Sequence, residues 1–295
     1  MPIAYLIAAH HQPAHLARLI RALNSPDALF FIHIDAKVDE TIFSDTVPHL
    51  PNVFFIEERW EVNWGGFSIV RSTLSLLDTA AGFDSNISRF CLLSGSDFPI
   101  KTRQEISTAL VSTKELLRVD KKLDPSGDDW HSGYIRFYWF PDGPEDKKKF
   151  SGKLPRPKSF DRLGLYHGSA WWALTRPCIE YVLDFAKSND DYCKFLEHAF
   201  CSDEIFFQSI LKQSPFAQQI THDFETASDL SKFQRSNDHG CHYVDWNSPT
   251  DPRPKILEME DFDHLMNSNC TFARKFQEQR SGELITRLEE TLLLT

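Results

Sequence analysis

The chain has 295 residues, 41% of them hydrophobic and 25% charged, enough to bury a core in one large or two small domains. The formal net charge of −10, with no Lys/Arg run dominating a face, argues against a polyanion-binding surface and hence against a nucleic-acid partner. The 24 Phe and 7 Trp are a heavy aromatic load, most of it core and the rest suited to sugar rings and bases.

I-A-Y-L-I-A-A (3–9) is a strand-length apolar run followed by His10 and His11, so it reads as a first buried strand rather than a signal peptide. No apolar stretch approaches the length of a membrane span. Pro13 then opens a helix whose apolar stripe is Leu16, Leu19, Ile20 and Leu23. L-F-F-I-H-I (29–34) is a second strand ending at Asp35, and residues 52–56 are a third. N-W-G-G (63–66) is a turn opening a helix with Ile69, Val70, Thr73, Leu74 and Leu77 inward.

The central stretch is F-C-L-L-S-G-S-D-F-P-I-K-T (90–102). Its first half lacks alternation, as in a strand buried on both faces, and Pro99 prevents the strand from continuing. A parallel strand emptying into a small polar loop is where open α/β sheets place ligands. Asp35 and Asp97 both follow strand ends and are expected on that one edge. There they serve either as turn carboxylates or as acceptors for ribose and sugar hydroxyls.

A helix follows around 106–111, and residues 120–167 are loop chemistry interrupted by one aromatic strand-like run, 134–140. The basic cluster inside it (Lys147, Lys148, Lys149, Lys153, Arg156, Lys158) is too loop-like for a nucleic-acid module. G-S-A-W-W-A-L (168–174) is a strand, and Pro177 begins a helix with Ile179, Val182, Leu183 and Ala186 inward. C-S-D-E (201–204) opens the next helix, with Ser202 as N-cap and Asp203 and Glu204 in the first turn, where the dipole favours acids. A carboxylate held ionised there serves equally as a cap or as a general base. H-Y-V-D-W (242–246) is a further strand. After P-R-P-K (252–255) come a short helix from about Asp261, T-F-A-R-K-F (271–276) and a closing helix over 282–294.

This order of elements predicts an α/β fold with a mostly parallel central sheet flanked by helices, without internal repeats or a clear domain boundary. The 6 cysteines lack C-x-x-C or metal-ligand spacing and suit free thiols in a reducing, cytoplasmic compartment.

Several motifs in matching order resemble the core-2/I-branching family of β-glycosyltransferases (glycosyltransferase family 14), which also contains the peptide O-xylosyltransferases. They are F-I-H-I-D-A-K (31–37), W-G-G-F-S (64–68), L-L-S-G-S-D-F-P-I-K-T (92–102), G-S-A-W-W (168–172), S-D-E (202–204), Y-V-D-W (243–246) and F-A-R-K-F (272–276). The resemblance implies a single GT-A-like domain over 1–295, with a nucleotide-sugar-binding part (1–118) and an acceptor-binding and catalytic part (119–295). It places the catalytic base on Glu204, Arg274 and Lys275 at the diphosphate of a UDP-sugar, and Asp35 by the uridine. Asp97 falls where metal-dependent relatives of the fold carry D-x-D. Trp246 matches an acceptor-side aromatic, and Asp203 is counted with the substrate-binding residues. A second cation maps to Lys255, with Arg253 as the alternative. Trp171 and Trp172 alternate on their strand, so one enters the core and the other lines the donor pocket; Trp172 is taken as the pocket residue. The chain lacks the membrane anchor and cysteine pattern of the animal members, which favours a bacterial cytoplasmic member.

The chemistry implied is direct displacement, an α-linked UDP-sugar giving a β-glycoside on a glycan or glycoconjugate acceptor, with a lipid-linked acceptor allowing peripheral membrane contact. N-acetylglucosamine is favoured over xylose as the commoner donor of the family. S-G-S-D offers one acid where D-x-D has two, so side-chain cations are expected to replace a metal and no cofactor is required. The alternatives are a binding-only nucleotide-sugar protein, which would not need Glu204, and a glycoside hydrolase, which would need two facing acids.

Overall fold

The structure is a computed structural model that describes residues 1–156, 160, 163–226, 237–246 and 253–293. Pro157, Lys158, Pro252 and Leu294 lie outside the described residues. The strands are β1 (Ile3–Ala9), β2 (Ala28–Ile34), β3 (Val53–Phe55), β4 (Arg89–Ser94), β5 (Asp97–Pro99), β6 (Glu115–Lys122), β7 (Phe137–Tyr138), β8 (Leu154–Pro155), β9 (Tyr166–Gly168), β10 (Ala173–Thr175), β11 (Ile220–Asp223), β12 (Asp238–His239), β13 (His242–Val244) and β14 (Phe272–Arg274).

An eight-stranded sheet runs β11-β6-β10-β4-β1-β2-β3, with β9 also on β6. The pairs β1–β2, β1–β4, β2–β3 and β6–β11 are parallel, while β10 and β9 run antiparallel to their neighbours. Helices cover both faces, the GT-A-like α/β arrangement that the resemblance implies. On β1, Ala4 and Leu6 enter one apolar core while Ile3, Tyr5, Ile7 and Ala9 enter the other. Burial on both faces is why the run shows no alternation. The helix Pro13–Leu23 seals one face with Leu16, Leu19 and Ile20 fully buried, each worth about 1.5–3 kcal/mol of apolar transfer.

The elements depart from the expected ones in several places. First, β6 was not expected. Its E-L-L-R-V-D-K-K run looks like surface, yet Glu115 and Arg118 are buried and partnered. Glu115 accepts from the Thr175 N–H (2.8 Å) and hydroxyl (2.6 Å). Second, 134–140 is the end of a short helix (Ser132–Arg136) followed by β7, which pairs with β8 in a separate two-stranded sheet. Third, strand structure resumes after the Ser94–Gly95–Ser96 turn: residues 97–99 leave the main sheet and enter a four-stranded one, β12-β13-β14-β5, as an edge strand that ends at Pro99. Fourth, the run 168–174 is broken into β9 and β10, both pairing with β6.

That break decides the fate of the tryptophans. Trp172, taken from sequence as the pocket residue, is fully buried against Phe207 at 4.9 Å, and Trp171 is the ring that meets the site. The pair does face opposite ways, but the inward member is the one next to β10. Trp172→Ala is expected to cost about 3–5 kcal/mol in urea unfolding, as a large core truncation. Trp171→Ala should leave stability nearly intact and weaken nucleotide-sugar binding instead. Equal stability losses in the two variants would contradict this assignment.

Among the described residues no helix is long and apolar enough to cross a membrane.

Candidate active site

The carboxyl edge of β1, β2 and β4 forms the floor. Asp35 follows β2 directly, its N–H bonded to the Ala9 carbonyl (3.0 Å) and its carboxylate taking the Lys37 N–H (2.9 Å). Lys37 Nζ stands 3.6 Å from the same carboxylate. His10, at the end of β1, is held below its ordinary range by burial and by His11, and it also feels Asp35, Lys275 and Lys37. These side chains therefore share one corner of the edge. At the tip of β4, Gly95 has no room for a side chain: a Cβ would lie 2.9 Å from that of Ala9.

Asp97 is the buried centre of this floor. Its carboxylate accepts from the Ser94 N–H and hydroxyl (both 2.7 Å) and from His242 Nε2 at 3.2 Å. Burial opposes its charge, but Arg274, His242 and Ser94 hold it below the usual carboxylate range. Burial likewise opposes the charge on His242, and Cys241 and Asp97 outweigh it, raising the imidazole to about 9. Arg274 sits opposite Asp97 in the β5–β14 pairing, with Nη1 3.7 Å from Oδ1 and its guanidinium 3.8 Å above the Trp171 ring. That Nη1 is buried without a hydrogen-bond partner among the described residues, a donor in search of an acceptor. Lys275 lines a pocket of about 340 Å³ with His11, Gln12, Ile256, Phe276 and Arg280, and its ammonium feels both Arg274 and Asp97.

Of the remaining predicted cations, Lys255 is not brought to this floor. Its ammonium is bound to Asp261 (2.6 Å) and Glu260 (3.1 Å), the acids of the adjacent turn. Arg253 is exposed. Trp246, just past β13, is also exposed, at 46%.

Glu204 and Asp203 lie on a 3-10 turn, Ser202–Glu204, rather than in the first turn of the helix Phe206–Lys212. Ser202 is not the expected cap, since its buried hydroxyl has no hydrogen-bond partner among the described residues. The turn is held from a distant part of the chain. The Cys201 N–H donates to the Gly65 carbonyl at 2.9 Å, and Cys201 itself adopts φ 46°, a left-handed conformation unusual for a side chain with a Cβ. Gly65 (φ +75°) cannot be replaced here, because a Cβ would lie 2.5 Å from the Phe200 ring. Gly66 leaves space for the Asp142 carboxylate, which caps Ser68 N–H at 2.8 Å. The W-G-G-F-S motif thus beds the S-D-E motif.

Glu204 Oε2 lies 3.2 Å from His167 Nε2, and His167 Nδ1 lies 3.1 Å from Asp120, which is paired with Arg118 at 2.7 Å. Asp203 is pushed up to about 7 by burial and by Glu204, with His167 and Arg274 opposing, so its carboxyl couples the Glu204 carboxylate and the Arg274 guanidinium electrostatically. Its Oδ1 is buried and has no hydrogen-bond partner among the described residues. His167, Asp120, Arg118 and His242 had no spacing signal in the sequence, because each acquires its place through strand pairing.

The family profile described as Core-2/I-Branching enzyme matches residues 3–266. The chain belongs to that family. Among family relatives, it is 27% identical over 322 residues to a Bos taurus beta-1,3-galactosyl-O-glycosyl-glycoprotein beta-1,6-N-acetylglucosaminyltransferase, covering 99% of this chain and 69% of the relative. It is 25% identical over 321 residues to the xylosyltransferase oxt of Drosophila melanogaster, covering 98% of this chain but only 33% of that one. A similar solved structure is the galactosyltransferase LgtC with donor and acceptor sugar analogues, at TM-score 0.44 and 9% identity over 98% of this chain and 96% of that one. Mouse xyloside xylosyltransferase 1 aligns at TM-score 0.37 and 11% identity, covering 92% and 97%. The Core-2/I-Branching match spans the floor and the S-D-E turn, but ends before the F-A-R-K-F segment that supplies Arg274 and Lys275.

Proposed function

We propose that this chain is an inverting glycosyltransferase that moves a sugar from a UDP-sugar to a hydroxyl of a glycan or glycoconjugate, forming a β-glycoside. The observation that carries the reading is Glu204: one carboxylate oxygen is held by His167, and the other makes no hydrogen bond among the described residues. That free oxygen is the general base. It takes the proton of the acceptor hydroxyl as the oxygen attacks the anomeric carbon and the bond to the diphosphate breaks. Arg274 and Lys275 meet the charge that collects on the departing diphosphate, Arg274 with its unpartnered Nη1. Asp35 takes the nucleoside side of the donor. Trp246 and Asp203 serve the substrate, Asp203 from beside the base. N-acetylglucosamine remains the favoured donor, xylose the runner-up, in line with the names of the two relatives. A cytoplasmic setting fits the six free cysteines.

The reaction runs without a metal in this reading, because Asp97, the acid where D-x-D would sit, has both oxygens engaged by Ser94 and His242. Incubating the chain with radiolabelled UDP-N-acetylglucosamine and UDP-xylose, with and without a glycan acceptor and EDTA, tests the whole reading. Transfer to acceptor that survives EDTA is expected. Complete loss with EDTA and rescue by Mn²⁺ would show that Asp97 holds a metal, and binding without transfer would favour a sensor.

A further inference from the structure

The base has an unusual neighbour. His167 lies on β9, pressed against β6 so closely that a Cβ at Gly168 would stand 2.0 Å from the Arg118 carbonyl oxygen. Its ring is nearly sealed, with a side-chain exposure of 9%, and reaches Asp120 with one nitrogen and Glu204 with the other, at 3.1 and 3.2 Å. Asp120 is fixed in turn by Arg118 Nε at 2.7 Å, and Arg118 Nη1 donates to the Asp238 carbonyl at 2.9 Å. The groups around the ring are Asp203, His131, Lys121 and Tyr134, whose phenol, 6.0 Å away ring to ring, is kept neutral because burial and Glu204 raise it. Asp203 adds negative charge from the same turn as Glu204, and His131, 4.2 Å away ring to ring, stays neutral because burial and the charged His167 push it down to about 4. The Lys121 ammonium faces outward onto Asp129. Along β6, β9 and the S-D-E turn, charge therefore alternates: guanidinium, carboxylate, imidazolium, carboxylate.

We propose that His167, seated on the Arg118–Asp120 pair, is a positioning residue that holds Glu204 Oε2 and leaves Oε1 to take the acceptor proton. This rests on Glu204 being the base. The imidazolium keeps its own proton throughout. The acceptor O–H proton moves to Oε1, the new C–O bond forms as the C–O bond to the diphosphate breaks, and Glu204 later releases its proton to water. Burial works against a charged imidazole here, but Asp120 and Glu204 outweigh it and raise His167 to about 9. The sign follows directly. Below about 9 the ring donates to Glu204; as pH rises through that value the ring loses the donated proton, a lone pair meets the carboxylate, and turnover falls. The stability that the pairing contributes is complete below the unfolded value near 6.5 and is lost over the same alkaline window.

The test has an enzymatic and a spectroscopic arm. His167→Gln keeps a donor that cannot titrate, so kcat should drop about 10- to 100-fold, the size of one charge-assisted hydrogen bond, with donor KM unchanged and the alkaline limb gone. Asp120→Asn should shift the limb to lower pH. A His167→Gln enzyme with wild-type kcat, or with the same alkaline limb, overturns the inference. In ¹³C-histidine-labelled protein, the His167 ring, assigned by its absence in His167→Gln, should titrate near 9, and at lower pH in Glu204→Gln. Titration near the ordinary 6.5 in the wild-type chain overturns the inference even if sugar is transferred. If the wild-type chain transfers no sugar, the proposed function fails, and the ring titration still decides whether His167 pairs as an imidazolium.

Discussion

Glu204→Gln is expected to abolish most sugar transfer while leaving the fold and UDP binding in place. A positioned general base contributes about 10²–10⁴-fold, and the amide cannot accept the acceptor proton. The substitution is nearly isosteric, and the glutamine oxygen can still accept from His167, so the S-D-E turn should survive. The measurement is initial transfer rate at saturating donor, alongside isothermal titration with UDP. Near-normal turnover with unchanged UDP affinity would return Glu204 to a structural ion pair with His167.

Arg274→Met is expected to lower kcat/KM for the UDP-sugar by about 10²–10³-fold, the scale seen when one preorganised donor to a developing negative charge is removed. The thioether chain can keep its packing on Trp171, and Asp97 retains His242 as counter-charge, so loss of activity should not be loss of fold. Circular dichroism and UDP affinity separate the two. Lys275→Met should cost less, because that ammonium is only half-buried and solvent screens it. If Arg274→Met kept wild-type kcat/KM, the leaving group would have to be stabilised elsewhere.

The alternation-free apolar runs of β1, β2 and β4 were legible because burial on both faces demands nearly continuous hydrophobic sequence. For the same reason β6 was not. Charged residues interrupt it throughout, and Glu115 and Arg118 are buried because Glu115 binds the Thr175 N–H and hydroxyl, and Asp120 joins Arg118 to His167. Residues recruited for a site break the pattern by which strands are recognised. Within the site, Asp35, Asp97, Asp203, Glu204, Arg274 and Lys275 could be singled out because short motifs frame them. Lys255 could not be judged, since its acidic partners five and six residues downstream capture it only once the turn has formed. Trp171 and Trp172 show the limit of periodicity. Alternation says that adjacent side chains part company, but which one turns inward depends on a strand break that neighbouring β6 dictates.

The seat of Glu204 is assembled from Gly65, from Asp120 on β6 and from His167 on β9, so its contacts join segments far apart in the chain. Such contacts close the longest loops and are among the slowest to form. The Asp97 floor has the same dependence, because His242 on β13 and Arg274 on β14 reach it from the far end of the chain. During refolding from urea, nucleotide affinity and transferase activity should therefore both return late, after the β1–β2–β4 strands have paired. A nascent or partly refolded molecule of this kind has its sheet before it has its site.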